Sequence, residues 1–444
     1  MIKKYFQLQE KRTNFRIEFV AGLTTFLTMA YIIFVNPAIL SETGMDKNAL
    51  IAVTCIVTAA TTIITGLVAN APIAMAPGVG LNNFFAYLVV SGKMNWQTAL
   101  GVVFVSGVLF LLLTLLGLRK RIVEAIPTSL VSAIAVGIGL FITFIGLKNL
   151  GIIVKDEITF VSAGPLMLTI LIGLSGLLVM IYLEIRKVKG ALLAGILTAT
   201  ILAAVCKKIE LPQQFISSHL DVTAIALKLD ILSALKWGFF GSIFTLTFID
   251  MFDSVGTLVA CCHQANMVDE DGRIKGLDRL LSIDAVATVI GALLGTSTTT
   301  SYIESAAGIE QGGRSGLTSI VTGILFLLAL LFVPIVAIVP LYATAPALIM
   351  VGLFMMKEVK KIDFTNLEEA FPAFIIIVMI ALSYSISTGL AFGFISFTLI
   401  KIVSGKAKEI KPAMWVIAIL SILFLTMDQL AGIIGQLRPS VMCL

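Results

Sequence analysis

Four carboxylic acids stand inside or beside long apolar stretches of this 444-residue chain. Asp250 and Asp253 are three residues apart, a spacing that places both near one face of a helix. Glu304 follows a run of Ser and Thr, and Asp284 lies near the start of another apolar stretch. An ionised carboxylate inside a bilayer is costly, so acids there usually face an interior binding site or a proton path. These acids therefore predict a binding site for a solute. Asp253 and Asp284 are predicted to support this site, either structurally or by relaying protons.

Each acid also has a purely structural alternative. A protonated Asp250 can join two helices through one hydrogen bond, and Glu304 can cap a helix N-terminus. Asp284 can brace its own span. We predict substrate contacts for Asp250 and Glu304, because the first lies in the middle of a span and the second at a break in one.

The residues around Glu304 predict backbone donors that face the same site. The hydroxyl run gives way there to a short helix, and the first N–H groups of a helix have no partner within it. The amides around Ile303–Ala306, which include Ser305, are therefore predicted to donate to carbonyl groups of a ligand, while the Glu304 carboxylate accepts from ligand N–H groups.

Uncharged polar residues complete the predicted site. Asn82 opens a short helix after Gly78 and Gly80, and its amide offers both a donor and an acceptor. Asn83 is polar too, and periodicity does not decide which of the two points inward. Thr24 in the first span is a further candidate, although membrane Thr often bonds its own helix.

These candidates include no Arg or Lys, and this absence bears on the substrate. Two acids would repel an anion, so a neutral heterocycle with several N–H donors, or a cation, fits better. A membrane-embedded enzyme would need a nucleophile–base pair or a metal cluster, and the only histidines are His219 and His263. We predict a transporter without a cofactor, with the proton as coupling ion. Accumulation against a gradient would exclude a channel.

The composition of the chain indicates that these residues belong to a protein embedded in a membrane. The chain is 58% hydrophobic and only 13% charged, with a mean hydropathy of +1.05. Soluble proteins average about 45–50% apolar and about 25% charged residues. Because the apolar runs are long and continuous, they predict membrane-spanning helices rather than barrel strands. The net charge of +5 is small, and we predict no nucleic-acid partner.

The apolar runs predict about fourteen spans and a connecting segment between the two halves. The spans are 18–40, 49–70, 73–90, 96–117, 127–149, 163–185, 190–206, 236–262, 281–296, 299–314, 316–338, 340–357, 370–387 and 388–404. Residues 207–235 join the two halves, and the apolar stretch Met414–Met427 is either interfacial or an additional span. Basic clusters follow alternate spans, which predicts a cytoplasmic N-terminus. Seven spans per half make the second half an inverted repeat of the first.

Two broken spans occur at matching places in the two halves. Residues 71–83 contain Pro72, Pro77 and two glycines, and residues 295–308 begin with a Thr/Ser run; both predict an extended stretch leading into a short helix. A shift of 226 positions lays Gly78 on Glu304. Paired interruptions of this kind are the best sequence pointer to a transporter's binding site. The same shift fails further on, where Pro127 aligns better with Pro340.

Five long motifs resemble those of the AzgA-like purine permeases, in the wider group of nucleobase–cation symporters. They read AGLTTFLTMAYIIFVNPAIL, MAPGVGLNNFFAY, FIDMFDSVGTL, ESAAGIEQGGRSGLTSI and VPLYATAPALIMVG, and the resemblance extends over nearly the whole chain. It implies two inverted seven-helix repeats, proton-coupled uptake of adenine, guanine or hypoxanthine, and substrate contacts at Asn82, Asp250 and Glu304 with Asp253 in support. Asn83 departs from the small residue that many relatives have there. A same-fold carrier of uracil, xanthine or an anion is the alternative.

The resemblance also implies a division into a core and a gate, and dimers formed through gate helices. The predicted organisation is a cytoplasmic N-terminus (1–17), a first core segment (18–117), a first gate segment (118–206), a connector (207–235), a second core segment (236–338), a second gate segment (339–404) and a C-terminal tail (405–444). The predicted location is the inner (plasma) membrane, and the predicted partners are the lipid bilayer, a purine nucleobase and a second copy of the chain.

Overall fold

Helices dominate the structure, a computed structural model that describes residues 2–117, 126–210, 221–267, 274 and 276–437, with only the backbone at 2, 237, 252 and 427–437. The helices of the first half are α1 (Ile2–Tyr5), α2 (Phe15–Met29), α3 (Ile32–Ser41), α4 (Lys47–Ile64), α5 (Val79–Val90), α6 (Trp96–Leu115), α7 (Thr128–Leu150), α8 (Leu168–Ile185) and α9 (Ala191–Val205). Those of the second half are α10 (Ile231–Ala234), α11 (Phe240–Gln264), α12 (Leu277–Leu294), α13 (Ser305–Glu310), α14 (Gly316–Ala329), α15 (Val333–Ala337), α16 (Leu341–Met355), α17 (Leu367–Leu382), α18 (Ile386–Val403) and α19 (Pro412–Leu437).

Four short strands form two separate antiparallel pairs among the described residues. They are β1 (Met75–Pro77), β2 (Ile153–Asp156), β3 (Phe160–Ala163) and β4 (Thr299–Ser301). Strands β2 and β3 form a hairpin before α8 that the sequence did not predict, and β3 reaches the start of the apolar run that was assigned to the sixth span. Strands β1 and β4 come from the two broken spans and pair with each other.

The predicted all-α, polytopic fold is confirmed. Within the described part of the chain, nine helical segments are long and apolar enough to cross a bilayer: Phe15–Ser41, Lys47–Ala69, Trp96–Leu115, Thr128–Leu150, Leu168–Ile185, Phe240–Gln264, Gly316–Ala337, Leu341–Lys361 and Ile386–Val403. The remaining predicted spans are the helices α9, α12 and α17 and the two broken segments. The apolar stretch after residue 411 is helical, as α19.

Several predicted span boundaries were wrong by a few residues, and local turns account for two of them. Helix α12 begins at Leu277 instead of 281, because Gly276 at φ 74° supplies the left-handed turn that starts it. The junction between α17 and α18 lies at 383–385 instead of 387–388. There the Ser385 side chain caps α18 by accepting a hydrogen bond from the backbone N–H of Thr388.

The two halves are related in the way that the 226-residue shift predicts. Gly78 is the N-cap of α5 and Glu304 is the N-cap of α13, so the two short helices begin at equivalent positions. Beyond the broken spans, the Pro127–Pro340 alignment takes over, because these prolines are the N-caps of α7 and α16. The chain therefore consists of two repeats of one seven-span unit.

The helices pack in two groups. The first group contains α2–α6 and α11–α14, whereas the second contains α7–α9 and α16–α18. Many large apolar side chains on the outside of both groups are exposed, among them Leu115, Ile185, Val205 and Val403. Apolar surface of this extent is stable only against lipid. The assignment of the two groups to a core and a moving gate stays a prediction.

The first group contains a very close helix crossing. An added Cβ on Gly316, at the start of α14, would lie 1.9 Å from the carbonyl oxygen of Gly66, in the π-helical turn after α4. Beside this crossing the buried Glu18 carboxylate accepts hydrogen bonds from the backbone N–H groups of Arg314 and Thr318, at 3.0 and 3.2 Å. Small residues and a buried acceptor together hold these spans in contact.

Candidate functional site

The extended stretches of the two broken spans pair with each other at the centre of the first helix group. Met75 pairs with Ser301 and Pro77 pairs with Thr299. Two further backbone bonds extend the pairing: Gly78 N donates to the Thr298 carbonyl and Tyr302 N donates to the Ala74 carbonyl, each at 3.0 Å. The hydroxyl run 296–301 is buried throughout. This pairing gives hydrogen-bond partners to backbone groups that could not otherwise lie at membrane depth. Because the strands are antiparallel, α5 and α13, which follow them, extend in opposite directions from the crossing.

Glu304 lies at the start of α13, beside that centre. Its side chain makes no capping bond to its own helix. The Tyr31 hydroxyl donates to Glu304 Oε1 at 2.8 Å instead. Tyr31 is the residue at which the first span breaks between α2 and α3. The Glu304 residue is only half-buried, so its carboxylate can accept further N–H donors from a ligand.

Asp253 on α11, Ile303 and Glu304 border one accessible space, the opening, because the first two residues are exposed and the third is half-buried. The Asp253 side chain lies within electrostatic range of Glu304 and of the Tyr31 and Tyr302 hydroxyls. The side chain of Ile303 is 50% exposed beside them. Two acids and an apolar side chain therefore border one opening at the crossing of the broken spans, and the buried Tyr31 hydroxyl bonds to one of these acids.

Asp250 and Asp284 lie deeper. Asp250 is 2% exposed and accepts a hydrogen bond from the Thr288 hydroxyl at 3.0 Å. Asp284 is fully buried, and its Oδ1 accepts from the backbone N–H of Ser301 at 3.1 Å. Although Asp250 and Asp253 are on one helix three residues apart, the first contacts α12 and the second faces the opening. The predicted substrate contact of Asp250 and the relay role of Asp284 stay predictions.

Asn82 lies in a buried network of side chains. Its Nδ2 donates to Asn36 Oδ1 at 2.6 Å, and its Oδ1 accepts from the Ser297 hydroxyl. Asn36 in turn donates to Thr54 at 2.6 Å and to Thr296 at 3.2 Å. This network ties the start of α5 to α3, α4 and the hydroxyl run. The Asn82 amide retains a second N–H group, and its predicted contact with substrate stays a prediction.

The other predicted site residues bond to protein atoms. The Thr24 hydroxyl donates to the carbonyl of Val20 in its own helix at 2.9 Å. The Ser305 hydroxyl accepts from Ala74 N at 3.0 Å, across the crossing of the broken spans. The Asn83 amide likewise donates back to the Val79 carbonyl at 2.9 Å. Of the predicted site residues, the structure brings Asp253, Ile303 and Glu304 together at the opening.

Sequence reasoning missed Tyr31, Asn36 and Ser297. Each is a polar residue in an apolar or hydroxyl-rich stretch, and this contrast could have marked it as a candidate for the site. Asn36 is followed by Pro37 inside α3, and both are buried. A buried amide in a span needs partners on other spans. The identities of those partners depend on the crossing of the broken spans, which spacing alone does not give.

We expect Tyr31→Phe to weaken substrate binding about twofold to tenfold. A typical intramolecular hydrogen bond contributes about 0.5–1.5 kcal/mol net, and the hydroxyl orients Glu304. The measurement is the dissociation constant of labelled substrate on purified protein. Tyr5→Phe is the matched control, because it removes a hydroxyl bonded to the Leu67 carbonyl at 2.7 Å, away from the opening. Equal effects of both variants would contradict the orienting role of Tyr31.

The groups at the opening suit reversible binding of a small solute. Within the described residues, no group of three His, Cys, Asp or Glu side chains could hold a metal ion. The opening presents carboxylate acceptors beside a short helix whose N-terminal amides carry partial positive charge. A planar molecule with both N–H donors and carbonyl or ring-nitrogen acceptors matches these groups.

Known proteins with similar sequences are permeases. The sequence profile of the permease family matches residues 16–392. The chain is 40% identical over 425 residues to the adenine permease AdeP of Escherichia coli, covering 95% of each chain. It is 41% identical over 452 residues to the guanine/hypoxanthine permease PbuG of Bacillus subtilis, covering 95% of this chain and 99% of that one.

Solved structures with similar folds are also transporters. The transmembrane domain of the cyanobacterial bicarbonate transporter BicA superposes with a TM-score of 0.62 at 17% identity, over 84% of this chain and 97% of that one. Murine SLC26A9 in an inward-facing state gives 0.62 at 11% identity, over 88% and 68%. At these identities the likeness concerns the fold alone. The profile match and the relatives show that this multi-pass membrane protein is a transporter, not an enzyme, and that it belongs to the permease family, among the AzgA-like permeases that its motifs resemble.

Proposed function

We propose that the protein carries purine nucleobases into the cell by proton-coupled alternating access. The observation that carries the proposal is the pair of acids at the opening, Glu304 held by Tyr31 and Asp253 within electrostatic range of it. Relatives that are about 40% identical over nearly their whole length are named as adenine and guanine/hypoxanthine permeases. The proposed location is the inner membrane, with the N-terminus in the cytoplasm.

The proposed substrate contacts follow from the groups present. A purine base has one ring N–H on its five-membered ring, a second on the six-membered ring when it carries a 6-carbonyl, and ring nitrogens or that carbonyl as acceptors. Glu304 would accept a ring N–H. The backbone amides of Ser305 and Ala306 donate to the Tyr302 and Ile303 carbonyls at 3.2 and 2.9 Å, so they, like Asp250 and Asn82, would contact substrate after rearrangement of their present bonds. Exposed Ile303 supplies an apolar surface for a base face.

Proton coupling is supported by the mutual proximity of Asp253 and Glu304. Two ionised carboxylates at this range repel each other, and a proton on one of them relieves the repulsion. Binding of a proton and of a substrate with N–H donors would then favour each other, which is the basis of symport. Asp250 and Asp284 are the proposed supporting acids.

Transport requires that the site open to each side of the membrane in turn. The packing of the helices in two groups supports a movement of the second group, α7–α9 and α16–α18, against the first. In this proposal the second group is the gate, and gate helices form the contact of a homodimer. An anion carrier of the same fold is less compatible with two acids at the opening.

The substrate is tested by competition. Cells that lack their own purine carriers and express this protein should take up labelled hypoxanthine, and unlabelled adenine, guanine or hypoxanthine should compete. Uracil and nucleosides should compete poorly, because a pyrimidine lacks the second ring and a nucleoside adds a sugar at a ring nitrogen. Competition by uracil as strong as that by hypoxanthine would assign the protein to a different substrate class.

Coupling is tested in the same cells. Uptake should rise as the external pH is lowered and should collapse when a protonophore is added, while replacement of sodium by choline should change little. The reason is that the proposed site has carboxylates to carry a proton. Uptake that follows sodium and ignores the protonophore would reject proton coupling while leaving the purine assignment intact.

A further inference from the structure

A cavity of about 970 Å³ lies outside the proposed purine site, at the end of the molecule that carries the N-terminal segment. Its wall is formed by that segment, by the ends of the second, eighth and tenth spans, and by the starts of the first and ninth. The described residues that line it include four cationic side chains, Lys11, Arg12, Arg279 and Arg314, and one carboxylate, Glu10. The described part of the wall therefore carries an excess of positive charge.

Three of the four cations are held in place by backbone carbonyls at helix ends. Lys11 Nζ donates to the Asn70 carbonyl at 2.7 Å, and Arg279 Nη1 donates to the Val68 carbonyl at 3.2 Å. Arg314 Nη1 donates to the carbonyl of Ile309 at 2.6 Å. An ammonium has three N–H donors and a guanidinium has five, so each cation keeps donors for a ligand.

The N-terminal segment is ordered against the helices. Phe6 and Leu8 are buried and pack on Leu317. Two residues in the segment, Gln7 at φ 53° and Arg12 at φ 50°, adopt the left-handed conformation without being glycine. This conformation is uncommon for residues other than glycine and persists where the surroundings hold it. The segment is thus a fixed wall that presents Arg12 to the cavity.

Partial burial of Lys11 makes its charged form less stable. It lowers the pKa of Lys11, and the charges of Glu18 and Glu10 oppose this effect. A dianionic or monoanionic ligand in the cavity would stabilise the charged form of Lys11 and the three guanidinium groups beside it.

We propose that this cavity binds a phosphate group carried by an anionic ligand. Arginine forks match phosphate oxygens in pairs, and basic pockets between span ends bind the headgroups of anionic lipids. The volume leaves room for a phosphate and its substituent. Exposed Tyr5, Leu67 and Val68 at the rim are placed to contact an acyl chain. A lipid headgroup and a soluble phosphate share this recognition chemistry.

The test uses the purified full chain and its thermal stability. A ligand that binds only the folded protein raises the melting temperature in a concentration-dependent, saturable way. Dioctanoyl phosphatidylglycerol is compared with dioctanoyl phosphatidylcholine, and inorganic phosphate and pyrophosphate are added in separate arms. We expect stabilisation by phosphatidylglycerol and none by phosphatidylcholine at equal concentration. If the soluble phosphates stabilise equally well, the ligand is a soluble phosphate, which also supports the site.

Variants localise the effect. Arg12→Gln should raise the half-saturating concentration roughly tenfold or more, because it removes a charge-assisted contact. Arg16→Gln is the matched control: it makes the same charge change at an exposed position near the same end, outside the cavity wall. Purine affinity should be unchanged in both. An identical response of the two variants, or no stabilisation by any phosphate compound, would overturn the proposal.

A third variant tests a competing occupant. Residues 268–273 lie outside the described part of the chain, and their sequence includes Asp269, Glu270 and Asp271 between two residues that line the cavity. If these acids neutralised the cations, the wild type would bind no phosphate compound, whereas Asp269→Asn/Glu270→Gln/Asp271→Asn would. That result would reject a phosphate site in the native protein. Stabilisation of the wild type by phosphatidylglycerol supports the site.

Discussion

Glu304→Gln should weaken purine binding by about tenfold to hundredfold. Glutamine keeps the size of the side chain but replaces an acceptor-only carboxylate with an amide that has one acceptor and two donors. A charge-assisted hydrogen bond to a ring N–H is worth about 1.5–3 kcal/mol, and each 1.4 kcal/mol is a factor of ten. The measurement is labelled purine binding to purified protein, normalised to folded material.

The same half-helix supplies the control for this substitution. Glu310 is the last residue of α13; it is exposed and pairs with Lys189 at 3.0 Å. Glu310→Gln makes the identical chemical change a few residues away, where an exposed ion pair contributes about 0–1 kcal/mol. Its purine affinity should equal that of the wild type. Unchanged affinity in Glu304→Gln would remove this acid from the site and leave the fold and the anionic-ligand cavity unaffected.

Gly316→Ala should destabilise the protein by about 3 kcal/mol or more. Overpacking usually costs about 1–3 kcal/mol, because neighbouring side chains can move aside. Here the neighbour is backbone: the new Cβ would lie 1.9 Å from Gly66 O and 2.6 Å from Gly66 C. The helices would have to separate, and the hydrogen bonds that Glu18 makes to the start of α14 would lengthen.

Thermal unfolding of purified protein and the yield of monodisperse protein measure this effect. Gly256→Ala is the matched control, since a Cβ on Gly256 in α11 meets no atom within 4 Å. Alanine is the better helix former, so this control should be neutral or slightly stabilising. A Gly316→Ala variant as stable as Gly256→Ala would mean that the first helix group tolerates a wider crossing than the structure has.

Much of the fold could be predicted because membrane helices leave long apolar runs. Pro72, Pro77 and the Thr/Ser run marked the two broken spans, and the 226-residue shift placed Gly78 and Glu304 at equivalent helix starts. Two of the boundaries that were wrong depend on local turns, at Gly276 and Ser385. The positions of such turns cannot be predicted from the apolar content of a stretch. The β2–β3 hairpin was missed because short strands between two apolar runs leave no strong periodic pattern.

The site could be predicted by residue type but less by arrangement. Isolated acids in apolar runs identified Asp250, Asp253 and Glu304 as a group. Their different surroundings depend on the contact between α11 and α12, where Thr288 reaches Asp250. The bond from Tyr31 to Glu304 joins residues 273 positions apart, and no single-sequence pattern relates two such positions.

The pairing of β1 with β4 has a consequence for biogenesis. Met75 pairs with Ser301, which the ribosome adds 226 residues later. At roughly 5–20 residues per second, the first half spends about 10–45 s in the membrane before its partner strand exists. During that time the backbone groups of residues 75–77 have no strand partner, and hydrocarbon offers none. The insertion machinery or water must therefore shelter the third span until the tenth arrives, and a chain cut at the connector should mature only when both fragments are made together.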